Sequence, residues 1–208
     1  MLRIPIIAII FFFGLGCNRS TPVPGQPAVA AEAKDPAESP TPAGERIENP
    51  HYLQWAAHKP GTTIVVKEKT ETPGYSTETI STFKLKSVDD KRVVVEAASQ
   101  IVSPDGTKYP VETQEQSHSR WVYASSERAK KDLTRPIGTV EERDERITVL
   151  GREYQTKWYK AKGHVEAGDT FTESWIVNEL PGGLARSIHT IPAAKKTIST
   201  ELIEVKAP

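Results

Sequence analysis

Residues 62–99 read TTIVVKEKTETPGYSTETISTFKLKSVDDKRVVVEAAS, and the fold turns on how this stretch is understood. Ile64 and Val66 alternate with Val65 and Lys67, Ile80 and Thr82 with Thr79 and Ser81, and Val93 and Val95 with Val94 and Glu96. A period of two is that of a β-strand, whose successive side chains point to opposite faces. Pro73-Gly74 and Asp89-Asp90 separate the runs, and turns this short join only antiparallel neighbours.

Further turn signals stand at Pro104-Asp105-Gly106, Gly151, Gly168-Asp169 and Pro181-Gly182-Gly183. They divide the C-terminal half into candidate strands at Arg146 to Val149, Glu153 to Lys162, Thr170 to Val177, Leu184 to Ile191 and Thr197 to Val205. Before the first strand, Asn49-Pro50 is a helix start with a capping side chain and a first-turn proline. It predicts a short helix with Tyr52, Leu53, Trp55 and Ala56 on one face, ended by Lys59-Pro60-Gly61. Ser125-Ser126 ahead of Glu127 to Leu133 predicts a second short helix, or an excursion, between Ala124 and Gly138. The expected class is mainly β: a large curved antiparallel sheet, open or a half barrel, with one or two short helices.

Outside this body the chain changes character. Met1 to Gly16 carries Arg3, an apolar run from Ile4 to Phe13 and then small residues, the layout of an export signal. The run is too short for a helix that must cross about 30 Å of hydrocarbon. Asn18 to Glu45 has no aromatic residue and six prolines, so it lacks the apolar surface to offset the entropy of ordering. The expected organisation is a signal peptide over 1–16, a lipidated N-terminus and Pro/Ala-rich tether over 17–45, and one mainly β domain over 46–208.

Lys and Arg total 27 and Asp and Glu total 27, so the formal net charge is zero and nothing points to nucleic acid. The one cysteine, Cys17, excludes an intramolecular disulfide. Gly16-Cys17 after the apolar run resembles the lipobox of bacterial lipoprotein precursors, with Leu15 two places before the cysteine where that family usually has leucine at the third. The resemblance implies acyl chains on Cys17, a membrane as partner and, from Asn18, an outer-membrane address facing the periplasm. An ordinary cleaved signal with a free thiol, or an uncleaved anchor, are the alternatives.

Within the domain, the run from Phe171 through Trp175 and Pro181-Gly182-Gly183 to Arg186, with the hairpin from Gly151 to Tyr159, is similar to exported half-barrel proteins of the periplasmic lipoprotein-carrier (LolA/LolB-like) architecture. That resemblance implies an open sheet around an apolar interior, and Trp121, Trp158, Phe171 and Trp175 are the candidate cavity lining. Glu173 falls on the same strand face as Phe171 and Trp175, which suits a cavity mouth better than a dry core.

The five histidines are dispersed, with no spacing that aims two imidazoles at one metal, and no motif calls for a cofactor. His164, Glu166, Asp169 and Glu173 form the densest polar group, and no Gly-x-Ser-x-Gly elbow occurs. Glu141 to Arg146 alternates in sign and reads as a solvated edge. Three functions remain open. They are a non-enzymatic structural or protein-interaction domain, a carrier or sensor of an apolar ligand such as an acyl chain, and an extracytoplasmic hydrolase using His164 with a nearby carboxylate.

Overall fold

The computed structural model describes residues 44–103, 105–110 and 113–208. The expected signal segment, Cys17 and the expected tether as far as residue 43 lie outside the described residues.

Among the described residues twelve strands and two α-helices follow in order: β1 (Glu45–Glu48), α1 (Pro50–Ala56), β2 (Thr63–Thr72), β3 (Tyr75–Val88), β4 (Arg92–Val102), β5 (Lys108–Pro110), β6 (Gln114–Ser119), β7 (Trp121–Ala124), α2 (Glu127–Thr134), β8 (Thr139–Val149), β9 (Arg152–Val165), β10 (Gly168–Ile176), β11 (Leu184–Ile191) and β12 (Lys196–Lys206), with one 3-10 turn at Pro192–Ala194 between the last two. Ten of the strands make one antiparallel sheet in the order β5-β4-β3-β2-β12-β11-β10-β9-β8, with β6 also on β4, and the sheet does not close into a barrel. β1 and β7 pair separately as a two-stranded ribbon. The expected mainly β architecture with two short helices is the one observed. β1 begins at Glu45, one residue inside the span assigned to the tether.

The helices form where their caps are. Asn49 Oδ1 accepts from the backbone N–H of His51, and Pro50 occupies the first turn of α1. Ser126 Oγ accepts from the N–H of Ala129 and starts α2. Tyr52 and Trp55, three apart, face inward, but Leu53 is 46% exposed, contrary to its expected place on that face. One residue turns a helix by about 100°, so Leu53 looks away from the stripe that Tyr52 and Trp55 define.

The core joins α1 to the sheet through Tyr52, Trp55, Ile64, Val66, Leu85, Val93 and Val95, and continues through Leu180, Ala185 and Leu202. The β10–β11 connection lies against α1. A Cβ at Gly182 would sit 3.2 Å from the Trp55 ring, and one at Gly183 would overlap the Gln54 side chain. Both glycines also hold positive φ, 72° and 73°. The bare backbone of Pro181-Gly182-Gly183 therefore serves close packing on the helix.

The β9–β10 hairpin differs from expectation. Its turn is at Glu166-Ala167, because Gly168 takes φ 116° at the foot of β10 and lets the strand start two residues early. Asp169 is thereby a strand residue facing His164.

Candidate functional site

Cross-strand register decides which of the four expected lining residues meet. Trp158 of β9 is directly opposite Trp175 of β10, and the row extends to Arg143 on β8 and Arg186 on β11. The Arg143 guanidinium carbon stands 3.6 Å from the Trp158 ring centroid and that of Arg186 5.2 Å from Trp175. Each indole N–H finds a carboxylate: Trp158 Nε1 donates to Glu173 at 3.3 Å, and Trp175 Nε1 donates to Glu145. Glu145 is in turn paired with Arg143 at 3.0 Å. Glu173, awkward for a dry core, is on the tryptophan face because an indole needs it there.

Phe171 shares this face, with Lys162 5.8 Å from its centroid. Trp121 is not brought to it. It belongs to the β1–β7 ribbon, between Arg46 at 4.2 Å and Arg120 at 5.2 Å, the latter paired with Glu48. Of the four expected lining residues, the structure thus groups Trp158, Phe171 and Trp175, caps them with cations, and leaves Trp121 apart. Period two puts Phe171 and Trp175 on one face, but no local spacing in the chain brings Trp158 to them.

The His164–Asp169 pair forms, Nδ1 to Oδ1 at 2.9 Å, but its side chains are 74% and 79% exposed at a hairpin tip. With Glu173 engaged by Trp158, the expected polar group does not assemble in a cleft. An open hollow of about 360 Å³ lies instead beside α2, lined by Glu127, Arg128, Lys131, Asp132, Arg135, Gly138 and Thr139. Among the described residues no group of three or more His, Cys, Asp or Glu could hold a metal ion.

Two further places hold perturbed groups that sequence reading missed. His51 of α1 and His118 of β6 approach to 5.5 Å between ring centroids. Burial lowers the pKa of His51, partly offset by a hydrogen bond with Gln54; burial and then the neighbouring imidazole lower that of His118. On β2, Glu68 has its pKa raised by burial against the opposing pull of Lys196. Across the sheet, Thr172 Oγ1 and His189 Nδ1 are 2.8 Å apart, and burial, followed by Lys196, lowers the pKa of His189.

No family model matches the chain, and no curated protein does. Solved structures give distant likenesses. A protein from Bacteroides fragilis described as exported, with a YmcC-like fold, is 10% identical, with 72% of this chain and 97% of that one covered at a TM-score of 0.43. One from Parabacteroides distasonis described as a lipoprotein is 13% identical over 74% and 98%, at 0.45. The Mycobacterium tuberculosis lipoprotein LppX is 12% identical over 76% and 92%, at 0.41. Likenesses this remote transfer no role to the present residues.

Proposed function

We propose that the chain is an extracytoplasmic lipoprotein, anchored by acyl chains on Cys17 in the outer membrane facing the periplasm, whose β domain is a non-enzymatic interaction module. The leader from Met1 to Gly16, the cysteine directly after it and Asn18 support the address. The observation that carries the module reading is the occupied apolar face of the sheet. Tyr52 and Trp55 of α1 lie on Ile64, Val66, Leu85, Val93 and Val95, and the Pro181 connection closes on Trp55. An acyl chain would have to displace the protein's own helix from that face. Two or more acyl chains on Cys17 would hold the membrane firmly, at about 0.8 kcal/mol per buried methylene.

Native mass spectrometry of the detergent-extracted full chain tests both halves. The expected species begins at Cys17, carries a diacylglyceryl and an N-acyl group, and retains no other lipid. An unmodified thiol would remove the anchor, and a lipid retained one per chain in the domain would replace the module with a carrier. Membrane fractionation reads the outer-membrane address.

A further inference from the structure

Side chains directly opposite one another on neighbouring strands share a face, so the register defines rows across the sheet. One unbroken row runs Tyr159, Ser174, Ser187, Thr200, Glu68, Thr79 through β9, β10, β11, β12, β2 and β3. Every member carries a hydroxyl except Glu68, which brings a carboxyl. Six strands about 4.8 Å apart spread this row over roughly 24 Å. The next row on the same face adds Thr172, His189, Thr70 and Thr77 around the buried Ile198.

These groups are not freely solvated. Ser174 and Ser187 are 7% and 8% exposed, Thr200, Glu68 and Thr79 are half-buried, and burial holds the Glu68 carboxyl toward its neutral form. Among the described residues the side chains of Ser174, Ser187, Thr200, Glu68 and Thr79 make no hydrogen bond, and none of their polar atoms is both sealed from solvent and unpaired, so each stays open to a partner arriving on the sheet face. An acyl chain laid here would strip water from them and return nothing. A polyanion would meet Glu68 at the middle. What answers a row of hydroxyls, each both donor and acceptor, is another row of hydroxyls.

We infer that this row is a binding track for a glycan strand lying across β9 to β3, with the Glu68 carboxyl hydrogen-bonded to sugar hydroxyls at its centre. The inference rests on the interaction-module reading and narrows its partner to a polyhydroxylated chain. The acyl anchor plays no part in it, so a failed glycan titration on protein whose mass shows an acylated Cys17 and no retained lipid sinks this inference alone.

Calorimetric titration of the detergent-extracted full chain with N-acetylglucosamine oligomers of increasing length tests it. Affinity should rise with length as more strands are spanned. Thr200→Val and Glu68→Ala should each weaken binding of the longest oligomer about tenfold, the loss of one good hydrogen bond to a charged or buried partner. Glu201→Gln on the opposite face should leave it unchanged. Circular dichroism and melting temperature report whether each variant is folded, and Thr79→Val is a second hydroxyl deletion should Thr200→Val fail to fold. Absence of binding at millimolar oligomer, or an equal loss from Glu201→Gln, overturns the track. So does binding of a fluorescent fatty acid or an unstructured peptide that Thr200→Val strengthens.

Discussion

Trp158 is 3% exposed, stacked by Arg143 at 3.6 Å, bonded through Nε1 to Glu173 and opposite Trp175. Replacing it with alanine empties an indole-sized volume in the β8–β10 part of the core, and changes of this kind cost about 3–5 kcal/mol. For a chain of this size each kcal/mol moves the melting temperature by about 2–4 °C, so the expected fall is roughly 6–20 °C. Trp158→Phe keeps a ring under Arg143 but leaves the Glu173 carboxylate without its donor, at a cost of about 1–2 kcal/mol. Arg143→Ala removes the cation–π contribution, about 0.5–1 kcal/mol, because that side chain is 55% exposed. The assay is thermal melting together with urea unfolding of the two single variants, Trp158→Ala and Arg143→Ala, and their double variant, the urea data read as a double-mutant cycle. A fall below about 3 °C for Trp158→Ala would show that the ladder is surface decoration. An Arg143→Ala cost identical with and without Trp158 would show that guanidinium and indole are merely adjacent.

Other consequences are equally direct. Burial lowers the pKa of His51 and His118 below the usual 6.5, so the unfolded chain takes up protons first as pH falls. Their contribution is whole above about pH 6.5 and is lost on acidification through the window below it, and His118→Gln should flatten the melting-temperature profile between about pH 7 and 5. Glu68 acts with the opposite sign, its raised pKa favouring the folded state as pH falls toward 4.5, so Glu68→Gln should steepen acid destabilisation. Gly138→Ala drives a Cβ into the Lys162 carbonyl oxygen at φ 79°, and Gly74→Ala meets nothing within 4 Å at φ 81°. Calorimetry should therefore show the first costing clearly more than the ~1 kcal/mol of left-handed strain that both share.

The long strands were legible because their apolar residues alternate and glycine or aspartate turns separate them. Leu184–Ile191 matches its expected span, and β2, β3 and β4 contain the three runs read as alternating. β6, Gln114–Ser119, offers no apolar alternation, and β1, β5 and β7 are four residues or fewer, so their pairing is decided by tertiary neighbours. Of the expected aromatic site, the common face of Phe171 and Trp175 was readable from period two, as was Glu173 on it. The position of Trp158 against Trp175, and the distance of Trp121 from both, depend on which residues pair across strands. The hydroxyl row was hidden for the same reason: its members are scattered from Glu68 to Thr200 and meet only through five registers.

Threonine favours strands wherever a pleated surface is half-buried, so hydroxyls in β2, β3 and β12 need no ligand to explain their presence. Propensity acts on a residue, however, and is blind to which face it occupies. Along β2, Lys67, Lys69 and Glu71 fall on one face while Val66, Glu68 and Thr70 fall on the other, and along β12 Glu201 opposes Leu202 and Thr200. The tryptophan–arginine ladder continues onto the charged face, through Arg186 to Glu201 and Lys67. On the other face, apolar packing under α1 gives way along the same strands to hydroxyls, with Glu68 the one carboxyl between β9 and β3 and Glu142 of β8 standing at the end of the row beside Tyr159. Glu68, half-buried with Lys196 of the same face as its opposing charge, is therefore the position at which a neighbour on that face should be felt first.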